Sequence, residues 1–266
     1  MDKIKKIMEE NNITCFGAIP FHSLAPIIEC RARLRIPENA RSVIVMLFPY
    51  NVGDFPERNI SKYAMLLDYH IVADEILGNV IGGLKAIFPN EEFQAFADNS
   101  PINEVDAGAK AGLGVIGENG LLINSIFGSY VFIGEIVTTA VVPYTLSEIK
   151  HCPSCGHCKR ACPQGAISHD GFKKDICLSA ITQKKGQLTE KQEFAIKKGG
   201  LVWGCDVCND VCPLNKGVEK SDIPRFYENI IPKVTKENAE EIIKNRAFNY
   251  RGIKTITRNI DIIQKT

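Results

Sequence analysis

The chain carries the run CPSCGHCKRACP at residues 152–163. Its cysteines follow the spacing C-x2-C-x2-C-x3-C-P, in which three thiolates bind one corner of a cubane iron–sulfur cluster and the fourth points away to ligate another cluster. The proline turns the chain away after the last cysteine. This run therefore predicts that the second half of the chain folds around two [4Fe–4S] clusters.

A second, shorter motif follows at residues 205–213, with the sequence CDVCNDVCP. Together the two motifs supply seven cysteines, whereas two cubane clusters need about eight thiolates, and Cys177 is the obvious eighth. If the last cysteine of each motif ligates the cluster held mainly by the other motif, each cluster has four cysteine ligands. One set is then Cys152, Cys155, Cys158 and Cys212, and the other is Cys162, Cys177, Cys205 and Cys208.

Zinc is the alternative ligand for such a group of cysteines. Zinc sites prefer pairs of C-x2-C motifs and close at four ligands, so a run of four cysteines that ends in Cys-Pro favours iron–sulfur clusters. Two clusters side by side usually move electrons, and a purely structural role is the alternative. Cys15 and Cys30 lie outside both motifs.

The composition is that of a globular protein. The 266 residues include 45% apolar and 24% charged residues, which are ordinary values. There is no uncharged apolar run of about 18 residues, and the N-terminal MDKIKKIMEENN lacks the apolar core of a secretory signal. Clustered cysteines of this kind indicate metal binding in a reducing compartment. We therefore expect a cytoplasmic protein that does not associate with a membrane.

Predicted strands and helices alternate over the first 149 residues. Strands are expected at 15–20, 41–50, 93–98 and 128–143, and helices at 1–12, 62–88 and 102–112. This alternation predicts a layered α/β or α+β domain. The composition changes near residue 150, so we expect three segments: a substrate-binding domain at 1–149, a double-cluster domain at 150–216 and a basic helical segment at 217–266.

The stretch GLGVIG at residues 112–117 fits the pattern G-x-G-x-x-G. A dinucleotide site would require a strand before this pattern and a helix after it. A helix-like segment precedes the stretch here and Glu-Asn-Gly follows it, so nicotinamide binding is not expected. The glycines instead indicate a tight turn, a close approach of the backbone to a bulky ligand, or both.

Several further motifs resemble those of the epoxyqueuosine reductases, a family of cobalamin-dependent tRNA-modification enzymes related to the reductive dehalogenases. The most specific are ADNSP at 97–101, KAGLGVIGENGLLI at 110–123, GSY at 128–130 and GEI at 134–136. Matches also occur in YA at 63–64, DYH at 68–70, WGCDVC at 203–208 and CPLN at 212–215, and in the lone Cys177. The resemblance covers residues from about 13 to 260.

The resemblance implies an α+β fold, in which a nitroreductase-like cobalamin-binding α/β domain precedes a ferredoxin-like double-cluster domain. It implies two [4Fe–4S] clusters and base-off cobalamin as cofactors. It matches Asp98 to the catalytic proton donor of the family and His70 to a residue near the active site. The resemblance also implies that the glycine loop, residues 112–119, lies against the corrin. The cofactor-binding residues expected from this match are Ser100, Gly112, Leu113, Gly114, Ile116, Gly117 and Asn119.

Residue types alone leave other roles open at both catalytic candidates. Asp98 also suits a turn before Ser-Pro, and His70 on a long helix also suits a histidine of the core. As a proton donor to an opening epoxide, Asp98 would need a pKa near the working pH. We expect partial burial beside the corrin to raise that pKa.

The sequence departs from the family pattern in three places, of which one is a shorter stretch between Cys15 and Arg41. Glu118 stands where the family usually has lysine, which reverses a charge near the expected cofactor. The common family form continues into a helical-repeat domain that helps to hold tRNA, and here only residues 248–254 and 258–259 resemble the opening of that domain. We therefore expect a short form of the family, and a small molecule stays open as a substrate beside tRNA.

The net charge of +1 hides an asymmetry between the two halves. Residues 1–149 hold 11 Lys and Arg against 18 Asp and Glu, whereas residues 150–266 hold 21 against 13. The basic half suits RNA phosphates or an acidic electron donor. The basic side chains concerned are the pairs at 173–174, 184–185 and 197–198, with Arg246, Arg251, Lys254 and Arg258 downstream.

The resemblance and the cysteines together predict an epoxyqueuosine reductase. It would reduce epoxyqueuosine in tRNA to queuosine with two electrons that pass through the clusters, in queuosine biosynthesis. An external donor such as ferredoxin or flavodoxin would supply the electrons. Two alternatives stay open, namely a cobalamin and iron–sulfur reductase of a small molecule, and a ferredoxin-type electron-transfer protein.

Overall fold

The computed structural model describes residues 2–265, which form a mixed helix and sheet fold. The strands are β1 (Phe16–Pro20), β2 (Ser42–Pro49), β3 (Phe93–Ala97), β4 (Val115–Ile116), β5 (Leu122–Ile123), β6 (Val131–Thr138), β7 (Ile167–Ser168) and β8 (Gly171–Phe172). The helices are α1 (Asp2–Glu10), α2 (Tyr69–Ile87), α3 (Glu104–Lys110), α4 (His157–Ala161), α5 (Leu178–Thr182), α6 (Glu190–Gly199), α7 (Val207–Asp210), α8 (Ala239–Ile242) and α9 (Ile253–Gln264). The expected α+β class is confirmed.

A four-stranded sheet in the order β1-β2-β6-β3 lies at the centre, and all its pairs are antiparallel. Every residue of β2 is buried, because side chains alternate between the two faces and both faces are covered. Ile44, Met46 and Phe48 pack into the core on one face. Val43, Val45 and Leu47 pack into a second core on the other face, together with residues of α3.

The core on the α2 face also receives side chains from the end of the chain. Trp203, Phe226, Phe248 and Ile256 join the same cluster as Ile44. Trp203 is fully buried, and its Nε1 donates a hydrogen bond to the hydroxyl of Tyr63 at 2.8 Å. The segment after the cysteine motifs therefore folds back onto the sheet and closes the core. A smaller core joins α5, α6 and α9.

The elements differ in extent from those expected. Strand β6 runs from Val131 to Thr138 rather than over 128–143, and the long helix begins at Tyr69 rather than at residue 62. Residues Lys62–Met65 form a separate turn of 3-10 helix, and Asp68 then caps α2. Residues 217–252 contain only short helical turns, and α9 is the one long helix among residues 217–265.

In the part of the chain that the structure describes, no helix is both long and apolar enough to cross a membrane.

Candidate active site and cluster cavities

Asp98 lies at the end of β3, where the chain turns sharply. Its φ of +60° is in the left-handed region, which is uncommon for a residue other than glycine and indicates local strain. The carboxylate accepts a hydrogen bond from the hydroxyl of Tyr69 at 2.9 Å, and its Oδ2 lies 3.3 Å from Nε2 of His70. The structure thus brings the two predicted catalytic residues into contact.

His70 is held between two carboxylates. Asp68, the N-cap of α2, accepts from the backbone N–H of His70 and also lies 2.8 Å from its Nδ1. Hydrogen bonds to Asp68 and Asp98 raise the pKa of His70 to about 9. The imidazole is therefore charged at neutral pH, and it forms the middle of an Asp68–His70–Asp98 chain.

The pKa of Asp98 lies below its ordinary value, chiefly because of the hydrogen bond with His70. The expectation that burial raises this pKa is therefore wrong for this arrangement. The reason is that His70 stabilises the ionised carboxylate more than burial destabilises it. In the resting site the dissociable proton resides on His70, and Asp98 is its neighbour.

Two buried carboxyl groups lie beneath the Asp98 turn. Glu135 on β6 is fully buried and accepts a hydrogen bond from the hydroxyl of Ser100 at 2.8 Å. Glu104 at the start of α3 lies near the backbone of Asp98. Each of the two glutamates has one buried oxygen without a hydrogen-bond partner. Burial raises the pKa of both, and the charge of Glu135 raises the pKa of Glu104 further.

The Asp98 cavity has a volume of about 710 Å³ and opens to solvent. Tyr63, Tyr69, His70, Asp98 and Phe132 form one wall. The rings of Tyr69 and Phe132 stack with their centroids 3.9 Å apart. The remainder of the lining comes from the cysteine-rich segment and from the end of the chain, namely Phe172, Lys174, Cys177, Ser179, Ala180, Gln183, Ala247, Tyr250 and Arg251, with Asp68 beside His70.

The structure places the eight predicted cluster cysteines in two neighbourhoods, and their assignment as ligands stays a prediction. Cys152, Cys155, Cys158 and Cys212 line one cavity. In the other set, Cys205 lies close enough to Cys177 and Cys162 for their charges to raise its pKa, and Cys208 lies near Cys205 and Cys177. Soft thiolates in sets of four, with apolar neighbours, fit the chemistry of [4Fe–4S] clusters.

The local backbone explains how the first motif wraps around its cavity. Ser154 and Gly156 both adopt left-handed conformations, with φ of +53° and +73°, so that the chain curls between successive cysteines. Farther along, the backbone N–H of Ala166 donates to the sulfur of Cys162 at 3.2 Å. Such N–H donors stabilise the negative charge that thiolate ligands carry.

The glycine loop lies against the cysteines. Gly117 and Asn119 line the cavity of Cys152 and its partners, and the side chain of Asn119 lies near the thiol of Cys208. Among the described residues, the seven predicted cofactor-binding residues (Ser100, Gly112, Leu113, Gly114, Ile116, Gly117 and Asn119) do not line the Asp98 cavity. Their assignment to the corrin stays a prediction, and the residues that Gly117 and Asn119 adjoin are predicted cluster cysteines.

The glycines at 114 and 117 are required by close packing. A side chain at Gly114 would meet the backbone oxygen of Ile123 at 2.5 Å, and one at Gly117 would meet Oδ1 of Asn119 at 2.4 Å. Ser100 also has a structural role, because its hydroxyl donates a hydrogen bond to the carboxylate of Glu135. A hairpin of β4 and β5 therefore holds this loop in place.

Glu118, the residue that departs from the family pattern, pairs with Lys159 at 2.6 Å. This ion pair lowers the pKa of Glu118. Lys159 directly follows the predicted cluster ligand Cys158, so the charge reversal is balanced locally. Glu118 lines the cavity of the first set of cysteines rather than the Asp98 cavity.

Comparison with known proteins now identifies the family. Residues 31–99 match the family model described as epoxyqueuosine reductase QueG, DUF1730, and residues 151–215 match the 4Fe-4S double cluster binding domain. The epoxyqueuosine reductase of Lactococcus garvieae is 31% identical over 84% of this chain and 68% of its own length. That of Synechocystis is 33% identical over 82% of this chain and 79% of its own length.

The chain belongs to the epoxyqueuosine reductase family.

Solved structures show that the fold is shared within the family. A crystal structure of epoxyqueuosine reductase with an epoxyqueuosine-modified tRNA stem loop superimposes with a TM-score of 0.83 at 23% identity. The match covers 98% of this chain and 80% of that chain. A catabolic reductive dehalogenase covers 98% of this chain and 35% of its own length, with a TM-score of 0.50 at 16% identity. The double-cluster match makes this family member an iron–sulfur oxidoreductase.

Two of the basic residues proposed to contact phosphate have structural roles in this reductase. Arg246 is only 1% exposed and donates to the backbone oxygens of Met65 and Asn229. Arg258 donates to the backbone oxygens of Lys184 and Gly186. Both guanidinium groups therefore hold chain segments together, and they are not free to bind RNA.

Several residues of the reductase site escaped the sequence analysis. Asp68, two residues before His70, is a helix N-cap of the usual type. Glu135 lies inside a strand rich in β-branched residues, and an acidic side chain is rarely fully buried unless it is paired. Both signals could have been found in the sequence. The long-range partners could not, and these are Tyr69, Glu104 and Tyr250.

The first prediction concerns the proton on His70. The raised pKa of His70 stabilises the fold most below about pH 6.5, and this stabilisation is lost as the pH rises through about 9. Asp68→Asn keeps the helix cap and removes the charge, so the melting temperature should fall near pH 6 and not near pH 10. The exposed Asp74 on the same helix supplies the control variant, Asp74→Asn. Parallel pH curves for wild type and Asp68→Asn would contradict the assignment.

The second prediction concerns the buried glutamates. Since their pKa values are raised in the fold, the folded state binds more protons than the unfolded state above about pH 4.5, and stability falls as the pH rises. Glu135→Gln can still accept from Ser100 but cannot ionise. Its melting temperature should decline less than that of wild type from about pH 5 to about pH 9.

The exposed Glu148 gives the matched control for this experiment. Glu148→Gln should follow the wild-type curve throughout. If Glu135→Gln follows it as well, the pair does not carry a pH-dependent cost and the assignment fails.

Proposed function

We propose that this chain reduces epoxyqueuosine in tRNA to queuosine, with electrons that pass through two [4Fe–4S] clusters. The observation that carries the proposal is one cavity with a proton chain on one wall and a cluster cysteine in its lining. The Asp68–His70–Asp98 chain supplies the protons, and Cys177 brings the electrons of its cluster to the same space. Reduction of an epoxide to an alkene takes two electrons and two protons, so both must meet at the substrate.

Base-off cobalamin is the cofactor that we propose for this cavity. The cavity is in the upper part of the size range of ligand sites, and the rings of Tyr63, Tyr69 and Phe132 give it an apolar aromatic lining. Tyr63, Tyr69 and Phe132 would hold the macrocycle from one side, and Ser179 and Gln183 from the other. Reduced cobalt is a strong nucleophile that collects single electrons into a two-electron reductant.

The protein supplies and positions the proton. His70 is protonated at neutral pH, and its Nε2 lies 3.3 Å from Oδ2 of Asp98. When negative charge develops on the opening epoxide oxygen, His70 passes its proton to Asp98, and Asp98 delivers it to that oxygen. Solvent that reaches the open cavity then reprotonates His70, which supplies the second proton. Tyr69 holds the other side of the carboxylate through its hydroxyl. General acids of this type contribute about 10²–10⁴-fold to a rate.

The mouth of the cavity suits an RNA. Lys174 and Arg251 line it and can contact phosphates. Phe172 and Tyr250 are 47% and 56% exposed, and aromatic rings of this kind stack on unpaired bases. The guanidinium of Arg251 lies 4.6 Å from the centre of the Tyr250 ring. A related reductase binds an epoxyqueuosine-modified tRNA stem loop, which supports tRNA as the substrate here.

The remaining assignments complete the proposal. Residues 1–149 would form the cobalamin- and substrate-binding domain, residues 150–216 the double-cluster domain and residues 217–266 a basic helical segment. An external donor such as ferredoxin or flavodoxin would reduce the clusters. Reduced thiols and tRNA are both found in the cytoplasm, which is therefore the location that we propose.

The third prediction tests the role of Asp98. The cluster-loaded protein with cobalamin and dithionite should convert epoxyqueuosine in tRNA to queuosine, measured by mass spectrometry of the digested nucleosides. Asp98→Asn should lower the single-turnover rate at least about 100-fold, with iron and corrin contents unchanged. Asp74→Asn is the control and should keep the wild-type rate. Wild-type activity in Asp98→Asn would remove Asp98 from the mechanism, and an inactive wild type would remove the proposed function.

The fourth prediction separates tRNA from a small substrate. The double variant Lys174→Gln/Arg251→Gln should raise KM for modified tRNA and flatten its dependence on salt, because two phosphate contacts are lost. The rate with the free epoxyqueuosine nucleoside should not change. If the nucleoside reacts as well as tRNA in the wild type, and the variant alters neither, the small-molecule alternative is correct.

A further inference from the structure

Electrons must enter the proposed reductase at a different place from the substrate. Cys177, in the second set of cysteines, lines the Asp98 cavity. The first set lines a separate cavity, and Cys155 in that set is the one exposed cysteine among residues 2–265. Because the rate of electron transfer falls steeply with distance, the most exposed cluster is the natural point of entry.

The two chain segments around Cys155 carry positive charge and contain no acidic residue. Residues 150–168 and 211–218 contain no aspartate or glutamate. The exposed cationic side chains of these segments are Lys150, Arg160 and Lys216, with His151 and His157 beside them. The carboxylate of Glu118, which also faces this cavity, is paired with Lys159. Glu148 and Glu219 lie just outside the two segments.

The centre of this surface is apolar. Pro153, Pro213 and Leu214 line the cavity of the first set of cysteines, and Leu214 is 39% exposed. Two exposed lysines, Lys150 and Lys216, flank these residues in sequence and would form a charged rim around the apolar centre. Lys150 comes two residues before Cys152, and Lys216 comes two residues after Leu214. An apolar centre with a charged rim is typical of transient interfaces.

We infer that this Cys155 face, formed by residues 150–160 and 213–216, docks an acidic one-electron carrier protein. The inference rests on the proposed function, since it supplies the electrons for that reduction. A carrier with carboxylates around its redox centre would be steered to the Lys150 and Lys216 rim. Two successive encounters deliver two electrons, and each encounter oxidises one carrier and reduces the clusters by one electron. The tRNA can then stay bound at the Asp98 cavity while carriers exchange.

The test measures cluster reduction directly. Reduced flavodoxin is mixed anaerobically with the cluster-loaded protein in a stopped-flow instrument, and bleaching of the cluster absorbance gives the second-order rate. The double variant Lys150→Glu/Lys216→Glu should slow this rate about tenfold or more at low salt, and the difference should vanish at high salt. Reduction by dithionite, which needs no docking, should be unchanged.

A matched variant controls for net charge. Lys197→Glu/Lys198→Glu makes the same change of charge on α6, where both side chains are exposed. Flavodoxin should reduce the clusters of this variant as fast as those of wild type. If the wild-type rate does not depend on salt, or if both double variants are slowed equally, the inference is overturned. A reductase that fails to act on tRNA would leave these rates measurable, so the two failures can be told apart.

If Lys150→Glu/Lys216→Glu binds less iron than wild type, the glutamine pair Lys150→Gln/Lys216→Gln takes its place. It should slow reduction by flavodoxin by a smaller factor in the same direction. A rate equal to that of wild type in this pair would also overturn the inference.

Discussion

A buried carboxylate holds the cysteine-rich segment against residues 58–62, which precede α2, and the arrangement of the site depends on it. Asp206 lies between Cys205 and Cys208 and is only 3% exposed. It accepts hydrogen bonds from Nη1 of Arg58 and from the backbone N–H of Lys62, both at 2.7 Å. Burial raises the pKa of Asp206 to about 6. A buried charge is tolerated only with such partners, so the two parts of the chain are locked in one orientation.

That orientation creates the Asp98 cavity from segments far apart in the sequence. Helix α2 brings Tyr69 and His70, the turn after β3 brings Asp98, and the loop before α5 brings Cys177. Glu104 lies near the strained backbone of Asp98, and Glu135 accepts a hydrogen bond from Ser100 in the same turn. The fold therefore places two buried carboxyl groups close to the Asp98 turn. It also brings the Asp68–His70–Asp98 chain and Cys177 into the lining of one cavity.

The cysteine sets and the central strands could be predicted because short-range constraints determine them. A cubane cluster requires a fixed spacing of thiolates, and a buried strand such as β2 requires a run of apolar residues. The pKa of Asp98 and the position of the glycine loop depend on long-range contacts. His70 approaches Asp98 from another element, and Gly117 meets cysteines that follow it by more than thirty residues. Arginine is usually a surface residue, yet Arg246 is buried, because its guanidinium group binds backbone oxygens of two other segments.

The central claim is that one cavity joins a redox cofactor to the Cys177 cluster and to Asp98. The most direct test is an anaerobic absorption spectrum of protein reconstituted with iron and sulfide, with and without added cobalamin. The account predicts about eight irons per chain and a base-off corrin spectrum that survives desalting. It also predicts that corrin is lost when the stacked wall is removed in Tyr69→Ala/Phe132→Ala, with the iron content unchanged. Clusters that form without any retained corrin in the wild type would contradict the account.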